Sequence, residues 1–332
     1  MRLRGSAIGR KRIALVLVLL LLMSAVLPAC AASQLTSETS EATRRIALIA
    51  PVHASEQGEA MRLGADAAAK EFDAQLDYIA FEPVEDANEQ LTAALRVIND
   101  GAAAILIDPA TEHVLSEVAA SASAKGIPVV TLNDVREAKG VRAAVSVDNE
   151  EAGRQAGEAM AQLIHGRGTV VILRSDRVDP DLAQRESGIR AALAGYSGIS
   201  LAQSGACGDQ KDACWEAAKQ VLDGGRVDGA VALESTGSIG LSNEVKRLGK
   251  QGQIKLVAFG SETGQLELLQ DGVIQQLVVQ NGFSTGYLGV QQAVSLMSNA
   301  REDKPILLET KVINADNMFW MINQKMLFPF IQ

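Results

Sequence analysis

From residue 45 onward, two hydrophobic periods alternate along the chain. Short apolar runs rich in β-branched residues have the pattern of strands buried on both faces, as in parallel sheets. They are Ile46 to Ala50, Leu76 to Phe81, Ala103 to Ile107, Pro128 to Leu132, Thr169 to Leu173, Gly229 to Leu233, Lys255 to Phe259 and Gln276 to Val279. Between them lie alanine-rich segments with a helical stripe: Glu56 to Phe72, Glu89 to Asn99, Glu112 to Ala124, Glu150 to Ile164, Leu182 to Leu193, Ala213 to Leu222, Ser238 to Leu248 and Gly286 to Met297. This alternation predicts an α/β chain of parallel sheets with right-handed crossovers and helices on both faces. In such sheets, ligands sit beyond the carboxyl ends of the strands.

Two junctions sharpen the pattern. Gly126-Ile127-Pro128 closes a helix with glycine and opens a buried strand with proline, at a position where no ladder hydrogen bond is lost. Asp148 and Glu151 have capping-box spacing, and Ala152, Gly153, Ala156 and Gly157 then make a flat face suited to close helix packing.

The amino terminus has a different character. Five basic residues, Arg2, Arg4, Arg10, Lys11 and Arg12, precede the apolar stretch Ile13 to Val26, and Leu27-Pro28-Ala29-Cys30 follows. This resembles a bacterial lipoprotein signal, which implies cleavage of residues 1 to 29 and a diacylglyceryl group on Cys30. An uncleaved anchor helix and an ordinary secretory signal are the other readings. All three place the rest of the chain outside the cytoplasm. Residues 30 to 43 are small and polar, as in a flexible tether. Losing the five basic residues takes the formal charge from −9 to about −14. Such a field repels nucleic acid and leaves the lipid as the expected membrane attachment. Cys207 and Cys214 flank a short loop, so an oxidising compartment favours a disulfide over two free thiols or a metal pair.

Several motifs fall in register with a known family. They are Ile46 to Ala50, Asp108-Pro109-Ala110, Gly126 to Thr131, Ser146-Val147-Asp148-Asn149 with Glu151-Ala152-Gly153-Arg154, Val257-Ala258-Phe259-Gly260 and Leu269-Gln270-Asp271-Gly272. Together they resemble type I periplasmic binding proteins, in the ribose and galactose branch of ABC-importer solute-binding components. The resemblance implies two similar doubly wound parallel-sheet lobes joined by a three-strand hinge, with crossings near Val147, Asn281 and Lys311. One lobe would be residues 44 to 147 plus 282 to 310, and the other 148 to 281 plus 311 to 332. It further implies a monomer that needs no cofactor and holds a small polar ligand, a sugar above all, in the cleft between its lobes.

The family's sugar positions are only partly kept. The family's Asp-Arg pair falls on Asn133-Asp134, its helix-opening arginine on Arg185, its Asn-Asp on Glu234-Ser235, an aspartate on Gly260 and the hinge glutamine on Gln280. The loop after the first strand, Pro51 to Glu56, brings His53 but no aromatic platform. Asn133 and Asp134 also suit an Asx turn, and Arg185 a solvated helix end. Nucleophile elbow, phosphate loop, dinucleotide fingerprint and zinc-protease motifs are absent from the sequence, so binding is expected rather than catalysis. Two roles fit: delivery of solute to an ABC permease, or sensing for a membrane histidine kinase or chemoreceptor. The apolar tail Asn323 to Phe330 is expected to pack on the hinge, or else to contact a partner.

Overall fold

A computed structural model describes residues 44–51, 55–81, 87–136, 138–176, 179–202, 204–208, 211–298 and 304–328. The signal segment, the tether with Cys30, and His53 lie outside the described residues. Residues from Arg45 to the carboxyl terminus belong to one unit, built on two sheets.

The first sheet holds β1 (Arg45–Pro51), β2 (Gln75–Phe81), β3 (Ala104–Ile107), β4 (Val129–Leu132), β5 (Val141–Val147) and the late strand β12 (Ile306–Leu308). Its order is β12-β5-β4-β3-β1-β2, and every pairing is parallel. The second holds β6 (Arg167–Ser175), β7 (Gly198–Leu201), β8 (Gly205–Cys207), β9 (Gly229–Ala232), β10 (Lys255–Phe259), β11 (Gln276–Val279) and β13 (Lys311–Ile313). Its order is β13-β11-β10-β9-β6-β7, with β8 also on β6 and β13 antiparallel to β11. In the first sheet β1 lies between β2 and β3, and in the second β6 lies between β7, with β8 beyond it along the same edge, and β9. The topological switch points therefore fall between β1 and β3 and between β6 and β9, where ligands of such sheets gather at the carboxyl ends.

Period-two alternation explains why both sheets are covered on both sides. Ile46, Leu48 and Ala50 of β1 enter one apolar cluster, while Ala47 and Ile49 enter the cluster on the opposite face. Similarly, Val171 and Leu173 of β6 face one cluster and Val170 and Ile172 the other. Each fully buried Ile, Leu or Val contributes about 1.5–3 kcal/mol of transfer free energy, so the central strands anchor their lobes. Leu76–Phe81 differs from its sequence reading: it is an edge strand with a largely half-exposed pattern, because no strand covers its far side.

The helices are α1 (Glu56–Glu71), α2 (Ala87–Asn99), α3 (Glu112–Ala124), α4 (Asn149–Leu163), α5 (Pro180–Ala194), α6 (Lys211–Asp223), α7 (Ser235–Arg247), α8 (Thr263–Gln270), α9 (Gly282–Met297) and α10 (Met321–Leu327). Two pairs approach through glycine. A β-carbon on Gly64 of α1 would overlap the Phe283 carbonyl oxygen of α9, and one on Gly153 of α4 would overlap the Arg185 carbonyl oxygen of α5. The flat face read from Ala152, Gly153, Ala156 and Gly157 is thus used against α5. The capping box is half made. Asp148 accepts from the Glu151 amide at 2.8 Å, while the Glu151 carboxylate turns to Arg154 at 2.6 Å.

The disulfide Cys207–Cys214 is formed and ties the end of β8 to the first turn of α6. At the tail, Met318 and Leu327 enter the second lobe's core, whereas Phe319, Trp320, Met321 and Ile322 are exposed. Within Asn323 to Phe328, Leu327 is buried in that core with Met326 and Phe328 packed against it, and Pro329 and Phe330 lie outside the described residues.

Candidate ligand-binding site

Strand ends set the positions of the polar groups. Asp108 follows β3, next to the first switch point, and its Oδ2 accepts from Asn133 Nδ2 at 2.8 Å. Asn133 follows β4 in the left-handed region, φ 55°, which asparagine tolerates better than most residues. The Asp108 carbonyl in turn accepts from Gln90 Nε2 at 2.7 Å, which fixes the loop from behind.

Asp134 realises the Asx-turn reading. Its Oδ1 accepts from the Arg136 amide at 2.7 Å, and its Oδ2 from Arg136 Nε at 2.7 Å and from the second guanidinium nitrogen. Asp134 is buried while Arg136 is half-exposed. The guanidinium of Arg136, two residues later, is thus already paired with the Asp134 carboxylate. Bonding to Asp134 raises the Arg136 pKa above its ordinary value.

Across from these residues, Arg185 rises from the second turn of α5. Its Nε donates to Asn149 Oδ1 at 2.8 Å, its Nη1 to the Leu233 carbonyl at 2.9 Å, and its guanidinium carbon stands 4.8 Å from the centre of the Phe259 ring. It is therefore no solvated helix end. The residue keeps some solvent contact, yet its charged group is enclosed. Burial lowers its pKa, and Asp181, Asp179 and Glu234 oppose that shift. Five donors on a rigid fork leave some free to grip an acceptor.

Asp181, one turn before Arg185, is the residue that sequence reasoning missed. Its pKa is pushed up to about 6, first by burial and further by Asp179, Asp108 and Asp134, against the pull of Arg185. Asp108 and Asp134 belong to the first sheet's carboxyl edge, whereas Asp181 and Arg185 belong to the second lobe. The arrangement thus brings Asn133, Asp134, Arg185 and Glu234 into one electrostatic neighbourhood, together with Asp108, Asp181 and Arg136.

Glu234 follows β9 as the residue before α7, where its side chain makes no capping hydrogen bond. Gln280 follows β11, and its Nε2 is buried with no acceptor among the described residues. No hydrogen bond among the described residues joins its side chain to the other candidates. Gly260 leaves no room for a side chain. Its φ of 117° is strained for any side chain, and the Gln265 amide fills the space a β-carbon would need. Surface hollows of about 510 and 550 Å³ lie elsewhere, one at the amino ends of the second sheet near Arg167 and Lys255, the other beside β2. Both are at the wrong end or edge for a switch-point ligand.

Residues 46–301 match the family described as periplasmic binding protein domain, and the chain belongs to that family, in its ribose-like branch of type I proteins. Among relatives, it is 27% identical over 308 residues to the D-ribose/D-allose-binding protein of Pseudomonas aeruginosa, covering 88% of this chain and 96% of that one. It is 28% identical to the xylitol-binding protein of Mycolicibacterium smegmatis over 199 residues, 59% of this chain; the match spans only 57% of that protein's length. Among solved structures, an ABC-transporter solute-binding protein from Agrobacterium vitis bound with α-D-tagatopyranose superposes with a TM-score of 0.77 at 24% identity, covering 85% and 98% of the two chains. A carbohydrate-transporter solute-binding protein from Agrobacterium radiobacter in complex with D-arabinose gives 0.79 at 20% identity, covering 87% and 100%. At these identities the superpositions establish the shared two-lobed fold.

Proposed function

We propose that this protein is the extracytoplasmic solute-binding component of an ABC importer, anchored by lipid at Cys30, and that it captures a sugar or polyol between its lobes. The observation that carries the reading is that Asp108 and Asn133, hydrogen-bonded beyond the carboxyl ends of β3 and β4, and Arg185, bonded to the Leu233 carbonyl beyond β9, stand at the carboxyl ends of both sheets, and that Asp108 and Asp134 add to the raised pKa of Asp181. Groups from both carboxyl edges converge there, as closure around a ligand requires. Carboxylates at Asp108, Asp181 and Glu234 would accept from ligand hydroxyls, while Asn133, Arg185 and Gln280 would donate to them. Bending would take place near Val147, Asn281 and Lys311, between residues 44–147 plus 282–310 and residues 148–281 plus 311–332. The sugar- and polyol-binding relatives support this ligand class.

A thermal-shift screen of D-ribose, D-allose, xylitol, D-tagatose and D-arabinose tests the reading. A solute at about a hundred times its dissociation constant adds about 2.7 kcal/mol, a rise of a few degrees for a chain of this size. Arg185→Ala and the milder Glu234→Gln should abolish it. A sugar that binds both variants as well as the parent would overturn the site. If no solute binds but an extracytoplasmic kinase domain does, sensing replaces transport. Cys30→Ser should move the protein to the aqueous phase of a detergent extraction, and membrane retention would refute the anchor.

A further inference from the structure

One segment runs against the burial of large apolar side chains. Phe319, Trp320, Met321 and Ile322, where the chain turns from β13 into α10, are 59, 62, 76 and 63% exposed, more than any other large apolar residue among the described ones. The segment lies past residue 301, where the match to the family ends.

Polar bonds hold this corner in shape. The Asn314 amide donates to Asn317 Oδ1 at 2.9 Å, and the Asn317 amide donates to Asn314 Oδ1 at 3.0 Å. Asn323, itself buried, donates from Nδ2 to the Asn317 carbonyl at 2.9 Å, and the Trp320 amide donates to the same carbonyl at 3.0 Å. Met318 before the four residues and Leu327 after them are seated in the second lobe's core. Four successive exposed side chains mark a projecting corner, since neighbours on a surface strand or helix point to different sides.

Size, charge and tether length favour a lipid surface as its occupant. The four side chains present on the order of 500 Å², short of the roughly 800 Å² per partner that a stable protein interface buries. No charged residue stands between Asp316 and Lys325, so the corner is neutral in a chain of formal charge −9. Tryptophan and phenylalanine settle readily at the boundary between water and acyl chains. Fourteen residues, Cys30 to Thr43, precede Arg44 and reach at most about 50 Å. The seven residues of β1 cover about 23 Å of that distance, and α10 lies beside Gln57 and Ala60, just past the far end of β1. A lipid on Cys30 and the corner therefore fit one bilayer surface.

We propose that Phe319, Trp320, Met321 and Ile322 insert into the bilayer surface as a second, reversible membrane contact that acts with the lipid on Cys30. The lipid itself belongs to the reading proposed above. Stable anchoring takes two signals, and the corner alone leaves a lipid-free chain in water. Apolar insertion drives the contact, so zwitterionic and anionic lipids serve alike and salt has little effect.

Trp320 reads the contact. Trp215 is the only other tryptophan, so Trp215→Phe leaves one indole, and the difference between the parent and Trp320→Phe gives the same signal if that variant does not fold. Protein purified from bacterial membranes is placed in phosphatidylcholine vesicles, with and without phosphatidylglycerol, whose acyl chains are brominated or plain. Trp320 emission should be quenched in the brominated vesicles of both compositions. Met321→Ser with Ile322→Ser should lower the ratio of inserted to free corner by roughly tenfold or more, with the denaturant midpoint unchanged. Detergent partition of Cys30→Ser reads the anchor and Trp320 quenching reads the corner, so failure of one is distinguishable from failure of the other. Equal emission in brominated and plain vesicles would overturn the bilayer contact. So would a lipid-independent dimer that the double variant abolishes, which would give the corner to a second copy of the chain.

Discussion

Replacing Asp181 with asparagine should make the protein more stable at neutral pH. In the folded protein this carboxyl titrates near 6, against 3.8 for an unperturbed aspartate, because it is buried and faces Asp179, Asp108 and Asp134. The folded state therefore holds the proton more tightly than the unfolded chain. Stability from that proton is complete below about 3.8 and lost as the pH rises through about 6. The full gap corresponds to about 3 kcal/mol, a ceiling because the residue retains some solvent contact. Asparagine keeps the shape, stays neutral and gives up the attraction to Arg185, so the expected gain at pH 7 is about 1–3 kcal/mol. Urea unfolding of parent and variant from pH 4 to 7.5 measures it. Glu59, Glu151, Asp228 and Glu244, whose pKa values are lowered by their hydrogen-bond partners, impose the opposite slope. They do so in both proteins and cancel in the difference. The difference should vanish near pH 4 and grow toward pH 7. A pH-independent difference, or a variant weaker than the parent at pH 7, would refute the placement of this carboxyl.

Gly153→Ala should destabilise by about 2 kcal/mol or more, since the new methyl meets the Arg185 backbone and α4 and α5 must separate. Denaturant midpoints check this, and an unchanged midpoint would show that the helices can give way. Replacing both Cys207 and Cys214 with serine should cost about 2.5 kcal/mol by loop-closure entropy, with solute affinity unchanged. Calorimetry with and without solute separates the two effects, and a loss of affinity alone would assign the disulfide a binding role.

Burial decided how much of the fold was legible. Strands covered on both faces, such as Ala104–Ile107 and Gly229–Ala232, are continuous apolar runs and stand out. The missed strands Gly198–Leu201, Gly205–Cys207, Ile306–Leu308 and Lys311–Ile313 are three or four residues long and partly exposed, so they carry too little apolar pattern to separate from loops. Val141–Val147 was also passed over: Arg142 and Ser146 interrupt its apolar run, and the register with β4 shifts at Val129. Of the candidate residues, Asn133 and Glu234 are visible in the sequence because each follows a buried strand, whereas Arg185, in the second turn of its helix, is visible only through the family resemblance. Asp181 is not visible, for an acidic residue in a first helical turn is ordinary, and its setting depends on groups from the other sheet. Asp108 was visible as part of Asp108-Pro109-Ala110, and its place directly after a buried strand was the available clue.

The glycine seam between α1 and α9 also bears on the order in which the chain can fold. Glu71 and Tyr287, which hydrogen-bond across that seam, are 216 residues apart. The strand that completes the first sheet, Ile306–Leu308, comes later still. During synthesis at roughly 5–20 residues per second, α1 therefore waits on the order of 10–40 s for its partner helix. Throughout that interval Gly64 lacks the α9 backbone it packs against, and Ala65 and Ala68 can meet only the strands of the half-built sheet. The second lobe's corresponding pair, α4 and α5, is close in sequence and can dock as soon as it emerges. Folding should thus begin in the second lobe, while the first remains an incomplete half-sheet until nearly the whole chain has been made.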